Sequence, residues 1–348
     1  MTSYTVYMDQ LPGLLELWAR EFQVHVPVEV EEGIYDFVPW RKDEEIAWEY
    51  DVAYNTLKRF FLPPRETLLR FDPAACTAEV VCEAPKQLLF GVHPYDVKAA
   101  NQLDTLMRKD VPDNNFISRK KNTVIFALEP AAVARNAFWA SVDAHKIDNG
   151  YDLYWTRISS ASFHVEVATR RGKELLLAGG PLDLATDADK EAARHAHQRI
   201  IKESLRDGLK YPWRETADIL SRAWDSTLWQ HRARHCFSCG TCNLVCPTCY
   251  CFDMKEELDN TLTKGERYRE WDGCMMDSFS RVAGDHNFRP HTRERFRHRY
   301  YRKGKYIYDK IGQLGCVGCG RCVSGCTSGI ADPKAVFNEL WEADRHDS

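Results

Sequence analysis

The feature that most limits what this chain can fold into is a pair of cysteine runs. The stretch "HCFSCGTCNLVCPTCYCFD", residues 235 to 253, holds six cysteines in nineteen positions. Within it Cys236, Cys239, Cys242 and Cys246, followed by Pro247, have the spacing C-x2-C-x2-C-x3-C-P. Cys316, Cys319, Cys322 and Cys326 repeat that spacing, with Thr327 in place of the proline. This is a ligand run for [4Fe–4S] cubanes. A cube offers four iron corners, and each takes one thiolate. Three cysteines on one tight loop reach three corners. The fourth begins the next turn and points away, and where two such clusters share a chain it serves the other cube. By that rule Cys236, Cys239, Cys242 and Cys326 hold one cluster. Cys316, Cys319, Cys322 and Cys246 hold the second. The swap ties the two segments together and sets two redox centres side by side. Gly240, Gly318, Gly320 and Gly325 let backbone amides turn toward the sulfurs, where hydrogen bonds tune the potential.

Zinc and disulfides are the competing readings. A pair of C-x2-C units suits one tetrahedral zinc, but zinc has no use for a third and fourth cysteine in each run, repeated twice. The total of 13 cysteines is odd and fits a closed disulfide framework poorly. The start, "MTSYTVYMDQ", has no basic flank and no apolar h-region. No run of about eighteen apolar residues is present. The expected setting is the cytoplasm, without membrane attachment, where crowded thiols bind metal rather than pair.

The cysteines are unevenly placed. Cys76 and Cys82 precede residue 235, and eleven lie between Cys236 and Cys326. This shift marks two domains and an α+β chain. Residues 1–208 read as an α/β domain of docking or scaffolding character. Residues 209–348 read as a mostly helical ferredoxin-like domain with two [4Fe–4S] clusters. In the first part "LPGLLELWAREF" has helical spacing of Leu14, Leu15, Trp18 and Phe22. "KQLLFGV" and "YDVKAANQLDTLM" predict a strand–turn–helix step, and "NTVIFALEP" a buried strand. "YDLYWTRI" and "SFHVEVATRRGKELLLAG" read as strands, the latter broken at Gly172. "TDADKEAARHAHQRIIKESL" reads as a helix. In the second part "TADILSRAWDSTLWQ" places Ile219, Leu220, Ala223, Trp224 and Leu228 on one helical face. Between the runs no strand signal stands out. The last helix starts at Asp332-Pro333.

Three thiols remain near the runs: Cys249, Cys251 and Cys274. They read as buried cysteines packed beside a cluster, with ligation of a further metal centre as the alternative. Cys76 and Cys82 read as ordinary thiols. Their C-x5-C spacing lacks the C-x3-C partner that a sirohaem–cluster site needs. No G-x-G-x-x-G follows a strand, no Walker loop is present, and no Ser–His–Asp signature appears. The chain therefore reads as an electron carrier with no catalytic site of its own. The segment from Lys264 to Lys310 is rich in Arg, Lys, Tyr and Phe. Such a patch can bind nucleic acid. The reading adopted is that it lines and covers anionic clusters, with no nucleic-acid partner.

The motifs "CFSCGTCNLVCPTCYCFD", "REWDGC", "AGDHNFR", "RERFRHRYYRKGKYIYDK" and "CVGCGRCVSGC" resemble the iron–sulfur beta subunit of cytoplasmic NAD(P)-linked nickel–iron hydrogenases, the sulfhydrogenases. The iron–sulfur electron-transfer subunit of anaerobic sulfite reductases is similar. The resemblance covers residues 230 to 330, and "LLFGVHPYDVKAANQLD" and "NGYDLYWTRI" extend it upstream. It implies an assembly in which a flavin-containing subunit exchanges electrons with NAD(P)H. The beta subunit passes them to a nickel–iron hydrogenase module, or to a sirohaem subunit in the sulfite-reducing case. It also implies that Cys249, Cys251 and Cys274 recur in relatives. Relatives often carry cysteine where Tyr95 stands, and more cysteines in the segment matching "VARNAFWASVD". Here Asn136 and Trp139 stand in that segment. Tyr95 and Trp139 are then expected to fill the space as apolar bulk, with the phenol hydrogen-bonded.

Overall fold

The architecture comes from a computed structural model that describes residues 2–346. In chain order, the first part runs β1 (Ser3–Tyr7), α1 (Leu11–Ala19), β2 (Gln23–Glu31), β3 (Ile34–Pro39), β4 (Arg65–Asp72), β5 (Thr77–Val80) and β6 (Gln87–Val92). It continues through α2 (Pro94–Arg108), α3 (Asn114–Asn122), β7 (Thr123–Leu128), β8 (Leu153–Arg157), β9 (Ser162–Val167), α4 (Arg170–Leu177) and α5 (Asp187–Ser204). Seven strands form one sheet in the order β1-β9-β8-β7-β6-β2-β3. Its centre, β2-β6-β7-β8, is parallel, and both edges are antiparallel. Central strands are covered on both faces, so they read as continuous apolar runs. Every residue of β6 and of β7 is buried. The strand–turn–helix step stands as read. Pro94 opens α2, where a missing N–H costs nothing.

After α5 the chain is largely helical: α6 (Thr216–Arg222), α7 (Leu228–Ala233), α8 (Thr241–Leu244), α9 (Thr292–Tyr301), a π-turn (Arg302–Tyr306), α10 (Ile307–Ile311), α11 (Arg321–Ser324) and α12 (Pro333–His346). Asp332 caps α12 by accepting from the Ala335 amide at 3.1 Å. The α+β class is thus observed, with one addition. Between the runs, β10 (Phe252–Leu258) and β11 (Gly265–Trp271) form a hairpin. It pairs with β4 and makes a second sheet, β10-β11-β4-β5, from both parts of the chain. The hairpin escapes a hydrophobicity reading because all of β10 is exposed. Its strands are held across by charge: Lys255 with Glu270, Arg267 with Glu256, Arg65 with Glu266 at 2.7 Å. One buried hub anchors it. Glu66 on β4 accepts from Arg119 at 2.5 Å, from Asn115 at 2.8 Å and from Arg269 of β11 at 2.7 Å.

Two local expectations are overturned. Residues after Gly172 are helical, not a second strand. Thr169 caps α4, accepting from the Gly172 amide at 3.0 Å. Gly172 is needed because a Cβ there would lie 2.3 Å from the Asp152 carbonyl. The "TADILSRAWDSTLWQ" stretch is two helices, not one. The Ser226 hydroxyl accepts from the Leu228 amide at 3.3 Å, and the Trp229 indole donates to the Ala223 carbonyl at 2.7 Å. These local bonds compete with the helix ladder. Ile219, Leu220 and Leu228 are buried as expected, but Trp224 lies exposed under the Arg297 guanidinium, 3.7 Å from its ring centroid.

Candidate iron–sulfur centres

Each run folds as a loop followed by one short helical turn. In both, a glycine at positive φ precedes the turn: Gly240 before α8 and Gly320 before α11. The turn then carries the third cysteine, Cys242 or Cys322, inward. Around the first run lies a partly enclosed cavity lined by Cys236, Cys239, Cys242 and Cys326, with Met275 and Phe296 as apolar walls and Cys239 exposed at its rim. The fourth cysteine of the second run therefore stands with the first three of the first. In the reciprocal position, Cys246 lies within electrostatic reach of Cys316, Cys319 and Cys322 and works to raise each thiol. Thr248 strengthens the junction. Its hydroxyl donates to the Gly315 carbonyl at 2.6 Å, at the foot of the second run.

Electrostatics fit an anionic group. Burial pushes the Cys242 thiol up to about 11, and Cys316 up to about 12. Bare thiolates are disfavoured there, and ligation to a cation is what holds such groups deprotonated. Burial also raises Cys236, and neighbouring Cys326 and Cys239 add to it. Burial works to raise Cys326 too, but hydrogen bonds from Ser328 and from the Ala331 and Ile330 backbone outweigh it. Arg299 on α9 is 1% exposed. One of its nitrogens donates to the Cys242 carbonyl at 3.0 Å, while Nε and Nη1 have no partner. Cys242, Cys322 and Cys246 are the thiols that hold its charge. A buried guanidinium with two free N–H groups needs an anion. A cubane with four thiolates supplies one, so the residues present fit the group.

The second run is also bolted to the first part of the chain. Arg321, between Cys319 and Cys322, forms a two-pronged ion pair with Asp96 of α2, 2.7 Å on both arms. Its Nε donates to the Ala53 carbonyl at 2.6 Å. Both charged groups are buried. Gly318 and Gly320 have a role beyond turning amides. A Cβ on either would meet the backbone of Asn136, Phe138 or Trp139 within 2.8 Å, and the Phe138 amide donates to the Gly318 carbonyl at 2.7 Å. Only glycine permits that approach.

Tyr95 and Trp139 lie in this same contact. Both are buried and stack with ring centroids 6.2 Å apart. The Tyr95 hydroxyl donates to the Asp51 carbonyl at 2.8 Å. This is the expected bulk with a satisfied phenol. Tyr95→Phe is expected to lower unfolding free energy by about 1 kcal/mol, the worth of one net hydrogen bond, and to leave bound iron unchanged. Urea unfolding with iron analysis checks both.

Of the remaining thiols, Cys76 and Cys82 are exposed. Cys249 and Cys274 are buried and Cys251 is half-buried. The basic segment turns inward in part: Arg295, Arg299 and Lys303 are buried, whereas Lys264, Arg267, Arg281 and Arg293 are exposed. Asp96, Lys58 and Asn243 escaped the sequence reading. Asn243 and Arg321 sit inside the runs and could have been noticed there. Lys58 offers no signal in sequence, since its burial depends on a fold-level contact. No helix among the described residues is long and apolar enough to cross a membrane.

Residues 235–330 match the family described as a 4Fe-4S dicluster domain. Over nearly the whole length, the chain is similar to sulfhydrogenase 2 subunit beta of Pyrococcus furiosus. The two are 30% identical over 344 residues, covering 97% of this chain and 98% of that protein. The match joins the dicluster region and the α/β part in one relative. The chain thus belongs to the family of sulfhydrogenase iron–sulfur beta subunits.

Proposed function

We propose that this chain is the electron-relay subunit of a cytoplasmic sulfhydrogenase-type complex. It passes single electrons between a flavin-containing, NAD(P)H-linked subunit and a nickel–iron hydrogenase module. Two [4Fe–4S] clusters serve the relay. Cys236, Cys239, Cys242 and Cys326 hold one. Cys316, Cys319, Cys322 and Cys246 hold the other. The observation that carries the reading is the partly enclosed cavity in which Cys326 joins the three leading cysteines of the first run. When bound, a [4Fe–4S] cluster takes up and gives back one electron. The chain's own residues do the rest. Met275 and Phe296 give the first cavity apolar walls. Arg299 holds a fixed positive charge where an added electron is otherwise costly, and so favours the reduced state. Thr248 and the Arg321–Asp96 pair hold the two loops in fixed relation.

The two runs together account for about eight irons and about eight labile sulfides per chain. Anaerobically purified protein should show at least that content. Fewer irons, or zinc in place of iron, would sink the two-cluster reading. The partner assignment is tested by tagging this chain in its native host and analysing what comes down with it. Flavin and nickel are the expected companions. Sirohaem without nickel would replace the hydrogenase module with a sulfite-reducing one.

A further inference from the structure

The three thiols left over by the two runs form a built site of their own. Cys249 and Cys251 lie on the loop after the first run, and Cys274 lies after β11. Asn243 joins them: its Nδ2 lies 3.4 Å from the Cys274 sulfur and 3.9 Å from that of Cys249. Cys251 and Cys249 lie close enough to interact electrostatically. The Asn243 side chain is itself fixed, with Oδ1 accepting from the Met275 amide at 3.1 Å. Gly273 allows the approach, since a Cβ there would stand 2.7 Å from the Asn243 Cβ.

Two buried lysines face this group. Lys58 comes from the first part of the chain and is 4% exposed. It lies 4.0 Å from the Trp271 ring centroid, and its ammonium donates to the Asn243 carbonyl at 3.5 Å. Lys303 is also 4% exposed. It is turned inward by the π-turn Arg302–Tyr306, a distortion that clusters at functional sites. Its ammonium donates to Thr248 Oγ1 at 2.7 Å. Among the described residues neither lysine has a carboxylate within ion-pair reach. Buried ammonium groups persist only beside compensating negative charge. The sulfurs of Cys246 and Cys249 are what both lysines face. Lys303 is held more by Cys246, a ligand of the second cluster, than by Cys249, whereas Lys58 is held more by Cys249 than by Cys246. The main anionic partner of Lys58 is therefore in the three-cysteine group. Neutral thiols packed for bulk leave that lysine unexplained.

We propose that Cys249, Cys251 and Cys274 hold a third iron–sulfur cluster, a cubane with three cysteine ligands and one iron corner without a cysteine. Among the described residues no three His, Cys, Asp or Glu side chains close onto a single ion, so the group proposed is a cluster rather than one ion. The site adjoins Cys246 through the Cys249 amide, which donates to the Cys246 carbonyl at 3.2 Å. It extends the relay described above, but on different residues.

The test is iron and labile-sulfide analysis of the full chain, purified anaerobically, beside the double variant Cys249→Ala/Cys274→Ala. Low-temperature electron paramagnetic resonance is recorded on both. The wild type should carry about twelve irons, and the variant about eight, with the spin-coupled signals of the two run clusters retained. Eight irons in the wild type overturns the proposal and leaves the two-cluster reading intact, whereas fewer than eight counts against that reading. Extra iron that survives in the variant overturns the ligand assignment. Extra zinc lost in the variant overturns the redox cluster. Should the variant lose all its iron through misfolding, the wild-type count decides alone, and Cys274→Ser serves as the milder second variant.

Discussion

Replacing Asp96 with alanine is expected to destabilise the protein by about 3 to 5 kcal/mol, the usual cost of stranding one partner of a buried ion pair. Arg321 would be left buried, with only the Ala53 carbonyl as partner on its Nε. Because Arg321 lies between Cys319 and Cys322, the damage should reach the second run before the first. Denaturant unfolding of the holoprotein measures the first effect. Spectra that separate the two clusters measure the second, with preferential loss at Cys316, Cys319 and Cys322. Asp96→Asn keeps a partner for one arm of the guanidinium and should cost less. A change in stability below about 1 kcal/mol for the alanine variant would show that the anionic cluster beside Cys319 compensates Arg321 unaided.

Cys246→Ser is expected to remove the cluster of the other run. Serine is a poor ligand for a cubane, so the cluster served by Cys246 should be lost, along with about four of the irons. The proposed crossing of ligands makes the outcome specific. The cluster at Cys236, Cys239 and Cys242 should remain, since its fourth thiol comes from Cys326, in the same cavity. Cys326→Ser should give the reverse pattern. Iron analysis with Mössbauer or paramagnetic resonance spectra distinguishes the two clusters. Loss confined to the Cys236 cluster in Cys246→Ser would mean that each run feeds its own cube.

What can be read in advance follows from which forces are local. The runs are legible because cluster chemistry fixes spacing along the chain. Strands β6 and β7 are legible because two-sided burial leaves unbroken apolar runs such as "LLF" and "VIF". The α4 helix reads as a strand because its apolar residues, Leu175 to Leu177, follow closely on a strand, and the capping by Thr169 competes weakly with that pattern. The β10–β11 hairpin is invisible because its pairing with β4 is set by charges about 200 residues apart, such as Arg269 with Glu66. The same holds for Lys58 and Asp96. Their roles arise where distant segments meet, and no window along the sequence contains both partners.

The shared wall of the first cavity has a consequence for how the protein is made. Residues Cys326 to Ala331, which close that cavity beside Cys236, leave the ribosome well after the first run. Until they emerge, the first run presents three cysteines and an open side. Full four-cysteine ligation of either run's cluster must therefore wait for the second run, and nascent chains halted before Gly315 would offer neither site in complete form. A stop codon placed just ahead of Cys316 should abolish both centres together. Cofactor loading can in this way act as a check that synthesis has passed the second run.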